Sequence, residues 1–257
     1  LYGRERIPNA WAHWSTSIPV AVGSALSAAL ITATNAFQQT PTGFLMQNGK
    51  LSDITPVEAL FNPIAGTMIF HVIVSAFLTT GIVVAAWHAW CLLRERRHAR
   101  VEDVLTATAG PADPGGAYAG RLNTAMEVHR RALRLTVAMG LVAAVLTAVS
   151  GDMQARVVAQ YQPVKFAATE GLFETQTGAP MAILGWPDAE AGELSGAVEI
   201  PGLLSWMTTG NSDAVIQGLN DFPRELWPPL VVHLAFNLMV GIGFLLIVVG
   251  ALHLLRR

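Results

Sequence analysis

The 257-residue sequence specifies an all-α membrane protein: four transmembrane helices, with a long outer (periplasmic) loop before the last. Three observations lead there. Hydrophobic residues make up 52% of the chain and charged ones only 13%, whereas a soluble domain carries about 25% charged residues. Four apolar stretches are each long enough to cross a ~30 Å hydrocarbon layer at ~1.5 Å per residue. Basic residues collect on alternate connections, in the pattern that sets membrane orientation.

The first span runs from Trp11 to about Thr34, "WAHWSTSIPVAVGSALSAALITAT". The second runs from Ile64 to about Leu93, the third from Ala132 to about Ser150, and the fourth from Pro229 to about Leu255. Only Arg134, at the mouth of the third, places a charge inside any of them. Lipid offers backbone groups no partner, so each span has to be helical. Residues 1–93 therefore hold the first two spans and a short outer loop, and 94–131 form a cytoplasmic Arg-rich linker. Residues 132–150 are the third span, 151–228 the outer loop, and 229–257 the fourth span.

Orientation follows from charge. Arg4, Arg6, Arg94, Arg96, Arg97, Arg100, Arg121, Arg130, Arg131, Arg134, Arg256 and Arg257 share one face, 12 of the 16 basic residues. That face is assigned to the cytoplasm. Lys50, Arg156, Lys165 and Arg224 fall on the other, with 12 of the 18 acids. The stretch "TATAGPADPGGAYAG" within the linker reads as flexible. The one cysteine, Cys91, excludes an intrachain disulfide and a C-x-x-C-H haem attachment, and its place at a helix end suits packing. The opening "LYGRERIP" has neither initiator Met nor signal peptide and reads as an interior piece of a longer chain. Membrane lipid is the expected surrounding, and nucleic acid is not an expected partner.

Five histidines lie in or at the ends of spans. His13, His88 and His253 fall near the cytoplasmic ends, where interfacial hydrogen bonding accounts for them. His71, in "TMIFHVIVSAF", is different: an ionisable group among apolar neighbours at that depth is a functional candidate, or a neutral histidine bonded within the helix bundle. It lies ~10 Å from the outer end of its span, against ~6 Å for His233 and ~15 Å for Met239 on the fourth. Histidine with histidine and histidine with methionine are both known axial pairs for low-spin haem. The depths leave His233 and Met239 open as the second ligand.

Within the outer loop, "QPVKFAATEG" (162–171) sets Lys165 and Glu170 five positions apart. In a regular helix such positions point ~140° apart, so the pair could meet one ligand only by flanking it; Phe166, Glu170 and Phe173 share a face instead. A solvated surface helix would also carry these charges. Trp186 and Trp206 suit an interfacial level.

The chain resembles subunit I of the cytochrome bd family of quinol oxidases. The resemblance is carried by "NAFQQTPTG" (35–43), "FNPIAGTMIFH" (61–71), "GDMQARVVAQYQPVKFAATEGLFETQTGAP" (151–180), "IPGLLSW" (200–206), "GLNDFP" (218–223) and "FNLMVGIGF" (236–244). It implies that His71 and Met239 are the ligands of the low-spin b haem iron, and so selects Met239 over His233. It implies that Lys165 and Glu170 belong to the quinol-oxidising loop, that the companion is subunit II with possible small subunits, and that the substrate is ubiquinol or menaquinol. Residence in the prokaryotic plasma (inner) membrane follows from it too. One departure stands out: the family's arginine two residues before the methionine is Asn237 here, an amide that can hydrogen-bond a haem propionate but not neutralise it. The ligands of the family's second b haem and its haem d come from helices outside this segment. A haem b electron-transfer paralogue without oxygen chemistry and a haem-free structural membrane subunit are the alternatives.

Overall fold

The computed structural model describes residues 6–7, 9–109 and 117–256. Arg4, Arg257 and positions 110–116 of the expected linker lie outside the described residues.

Eight α-helices carry most of the described chain. α1 (Ala10–Ser15) begins on Asn9, whose Oδ1 accepts from the N–H groups of Trp11 and Ala12 at 2.9 and 3.2 Å. Thr16 separates it from α2 (Ser17–Gln39), and α3 (Pro56–Leu60) starts on a proline, which suits a first turn with no N–H to satisfy. α4 (Ala65–Ala109) and α5 (Ala117–Tyr161) each run 45 residues. At 1.5 Å per residue each is ~68 Å long, more than twice the hydrocarbon thickness. α6 (Pro163–Glu170), α7 (Leu203–Thr209) and α8 (Val231–Leu255) complete the set. Among the described residues, four stretches are long and apolar enough to cross a membrane: Ala10–Gln39, Ala65–Val101, Gly120–Tyr161 and Val231–Leu255.

The linker expected over 94–131 is helical in its described parts, since α4 continues to Ala109 and α5 begins at Ala117; the centre of the stretch expected to be flexible, 110–116, lies outside the described residues. Its composition explains this. Arg, Glu and Ala are strong helix formers, and Glu127 meets Arg131 at 2.6 Å, four residues on, with Arg130 at 4.0 Å.

The chain divides into two compact units, Leu1–Ile73 with Ala148–Gly241, and Val74–Thr147 with Ile242–Arg257. In the second, α4 and α5 touch where Gly81 meets Gly140. A Cβ on Gly81 would lie 3.0 Å from the Gly140 backbone, the close approach that small residues permit between membrane helices. His88 and His129 meet nearer the other ends of these stretches, Nδ1 to Nδ1 at 2.8 Å.

The first unit holds the segment between the third and fourth spans. Its strands nest: β3 (Gln176–Thr177) pairs with β8 (Val215–Ile216), β4 (Met181–Ile183) with β7 (Val198–Ile200), and β5 (Trp186–Asp188) with β6 (Glu193–Ser195), all antiparallel. A separate hairpin joins β1 (Leu45–Gln47) to β2 (Lys50–Ser52). The chain is thus mostly helical, with short strand pairs in its connections. Two small cores sit around α6. Phe166 packs with Leu172, Ala179, Leu204 and Ile216, while Ala167 and Ala168 pack with Phe173 and Leu219. Phe166 and Phe173, expected on one face, belong to different cores because α6 ends between them. Gly218 closes the second core's loop: a Cβ there would sit 2.3 Å from the Phe173 carbonyl oxygen.

Candidate functional site

α6 begins at Pro163 and ends at Gly171, whose φ of +69° stops the helix in the left-handed region that glycine tolerates. Its start is tied to the end of α2. The Lys165 ammonium donates to Gln39 Oε1 at 2.7 Å, and Gln162 Nε2 donates to Thr40 Oγ1 at 3.1 Å. Gln39 Nε2 in turn donates to Asn35 Oδ1. Although Lys165 reaches solvent, crowding strips part of the water from its ammonium and lowers its pKa.

Glu170 is buried at 6% exposure, and its carboxyl takes part in none of the ion pairs among the described residues. Burial pushes its pKa up from 4.5 to about 7, because a carboxylate loses hydration in an apolar setting. The two residues of the expected pair therefore differ in environment, one exposed and one largely buried. No ion pair joins them.

His71 and Met239 also lie in the first unit. The Nδ1 of His71 is 2.9 Å from Ser150 Oγ, and its Nε2 has no hydrogen-bond partner among the described residues. Fixing one ring nitrogen leaves the other oriented as a ligand, the usual arrangement at metal centres. Met239 is 55% exposed on α8, so its thioether is not engaged in a core. A free imidazole nitrogen and an exposed thioether are both donor types that haem iron accepts.

His233 is different. It is fully buried, and both ring nitrogens face backbone carbonyls: Nδ1 lies 3.0 Å from Thr169 O and Nε2 2.9 Å from Leu184 O. Asn237, expected at a haem propionate, is engaged within the protein. Its Oδ1 accepts from the Leu184 N–H at 3.0 Å, and its Nδ2 donates to the His233 carbonyl at 3.1 Å. Sequence reasoning flagged both residues without this arrangement. The only signal was their spacing of four, which sets them on one helix face.

The sequence model of the family described as cytochrome bd terminal oxidase subunit I matches residues 1–257. The chain belongs to that family. Its members bind haems, and membership together with four apolar helices makes this a multi-pass prokaryotic membrane protein. It is 40% identical over 238 residues to a Bacillus subtilis (strain 168) protein provisionally named cytochrome bd menaquinol oxidase subunit I, covering 93% of this chain and 48% of the relative. The cytochrome bd-II ubiquinol oxidase subunit 1 of Escherichia coli (strain K12) is 29% identical over 233 residues, 90% of this chain and 40% of that one. The solved bd oxidase of Geobacillus thermodenitrificans superposes with a TM-score of 0.79 at 36% identity, covering 99% of this chain and 52% of that one. The chain spans about half the length, or less, of the relatives it matches.

Proposed function

We propose that this segment is the quinol-oxidising, low-spin-haem part of a cytochrome bd-type quinol oxidase, working with a second subunit. The observation that carries the reading is Glu170: a largely buried side chain in no ion pair, with a pKa near neutral, on a helix anchored at its start to α2 and at its end to α8. A general base works best when its pKa lies near the operating pH. The relatives' names divide between menaquinol and ubiquinol, so the substrate is assigned only to the quinol class.

Quinol oxidation releases two protons and two electrons. The Glu170 carboxylate accepts the two hydroxyl protons in turn, passing each to water on the outer side of the membrane before it takes the next. Lys165 orients the ring oxygens, held by Gln39 in a position displaced from Glu170, so that the two flank the substrate rather than meet each other. His71 and Met239 are the residues that would hold a low-spin b haem, with Ser150 fixing the His71 ring. When bound, that haem supplies a one-electron acceptor towards oxygen reduction.

The test uses the full oxidase complex and pre-reduced quinol, followed at the haem absorbance. Glu170→Gln keeps the side-chain shape but removes the base, so haem reduction should slow by about 10²–10⁴-fold. Lys165→Met should chiefly raise the quinol KM. Parental rates in both variants would make these residues ordinary loop charges.

A further inference from the structure

A carbonyl oxygen can only accept a hydrogen bond. Both ring nitrogens of His233 face carbonyls, those of Thr169 at 3.0 Å and Leu184 at 2.9 Å, so whichever nitrogen carries the N–H has a backbone acceptor to bond. The residues so joined are far apart in sequence. Thr169 immediately precedes Glu170, and Leu184 lies in the turn between β4 and β5.

Asn237, one helical turn beyond His233, completes the arrangement. Leu184 has a φ of +62°, a left-handed conformation that residues other than glycine rarely adopt. Its N–H is held by Asn237 and its carbonyl faces His233, so both of its backbone polar groups are fixed by α8. Gly171 closes the other side. A Cβ there would lie 2.9 Å from His233 Nδ1 and Cε1, so the ring packs directly on the chain that follows Glu170. Asn237 itself stands two residues before Met239 on the same helix.

We infer that His233 and Asn237 are positioning residues for quinol oxidation, clamping the end of α6 and the Leu184 turn to α8 so that the Glu170 carboxyl is held in its enclosed site. The inference rests on the reading of Glu170 as the base. The clamp acts through Glu170 and not through the haem or the Lys165 end of α6, which is anchored separately on α2.

The full oxidase complex tests this with His233→Gln, Asn237→Ala and Glu170→Gln, together with the double variant of His233→Gln and Glu170→Gln. His233→Gln should lower kcat with quinol by about 10- to 100-fold, the scale set by an ångström-level misplacement of a reacting group. The quinol KM should stay within about twofold and the reduced-minus-oxidised haem spectrum should be unchanged, whereas a general structural role would disturb both. In the double variant the rate should equal that of Glu170→Gln alone, since positioning has no object once the base is gone. A parental kcat in His233→Gln, or losses that multiply in the double variant, overturns the clamp. If His233→Gln fails to assemble, Asn237→Ala decides: a kcat loss with unchanged KM supports the clamp, and a parental kcat overturns it. Parental activity in Glu170→Gln would instead sink the reading of Glu170 as the base, and the clamp with it.

Discussion

α6 and α8 dispose of their side chains by opposite rules. α6 is eight residues long and buries Phe166, Ala167, Ala168 and Glu170, so it packs as a short helix in a water-soluble protein would. α8 is almost wholly apolar over 25 residues, yet it leaves Leu238, Ile242, Phe244 and Leu245 exposed and completely buries His233. In lipid an apolar side chain needs no protein cover, whereas an unpartnered polar group is costly. The helix in the bilayer therefore buries its histidine, and the helix in the connection buries its phenylalanine. The same logic separates His71 from His233. His233 has both ring nitrogens on protein carbonyls, and His71 keeps Nε2 clear.

The sharpest way to break that contrast is to remove each histidine in turn. His71→Ala should abolish the low-spin haem signal in a reduced-minus-oxidised spectrum, while His233→Ala should retain it. Loss of the signal in His233→Ala, with retention in Met239→Leu, would reverse the roles.

A second test sets the connection against the spans. Gly218→Ala forces a Cβ to within 2.3–2.5 Å of the Phe173 and Glu174 backbone, where no flexible side chain can yield. Overpacking of this kind costs about 1–3 kcal/mol. Because the strain falls on the core of Ala167, Ala168, Phe173 and Leu219, quinol-dependent turnover should drop by about tenfold or more while the haem spectrum survives. Coupled loss of haem would mean that the two regions fold as one unit.

The spans were legible because hydropathy and charge report the solvent directly, and Ala10–Gln39 and Val231–Leu255 enclose most of the expected stretches. The helical extensions beyond the bilayer were hidden, since a run such as "RERRHARVEDVL" satisfies a solvated loop and a polar helix equally. Strands of two or three residues are too short for alternation to show. His71 stood out by its depth and Lys165 with Glu170 by their place in a polar stretch, while the choice of Met239 and the roles expected of all four came from the resemblance. The partners of His233 lie 64 and 49 residues away, beyond any local pattern.

Acidity probes the enclosure of Glu170. Only the ionised carboxylate can accept a proton, so quinol oxidation should rise with pH and reach half its plateau at about pH 7. Glu170→Gln should flatten that limb. Stability should move the other way. Between pH 4.5 and about 7 the folded state holds the Glu170 proton and the unfolded state does not, so stability is lost as pH rises through this window. The shift corresponds to ~3 kcal/mol. Thermal midpoints at pH 5 and pH 8 should therefore converge in Glu170→Gln, and an unchanged difference would show that Glu170 is hydrated in the complex.

The smallest expected effect concerns the other end of α6. Gln39 Oε1 accepts from the Lys165 ammonium at 2.7 Å, and the Gln39 amide is itself held by Asn35, so a short polar chain on α2 aims the lysine. Gln39→Leu removes the acceptor while keeping the bulk. The ammonium keeps its charge and can turn to water, so the loss is one partly exposed hydrogen bond, about 0.5–1.5 kcal/mol. That predicts a quinol KM raised about 2- to 10-fold, with kcat and the haem spectrum unchanged. Lys165→Met should raise KM further, since it deletes the charge as well as its aim. Combining the two should add nothing to Lys165→Met, because Gln39 acts through the ammonium. A Gln39→Leu variant with lowered kcat and parental KM would place Gln39 with the groups that handle the proton, and would move the Lys165 end of α6 to the same side of the comparison as Glu170.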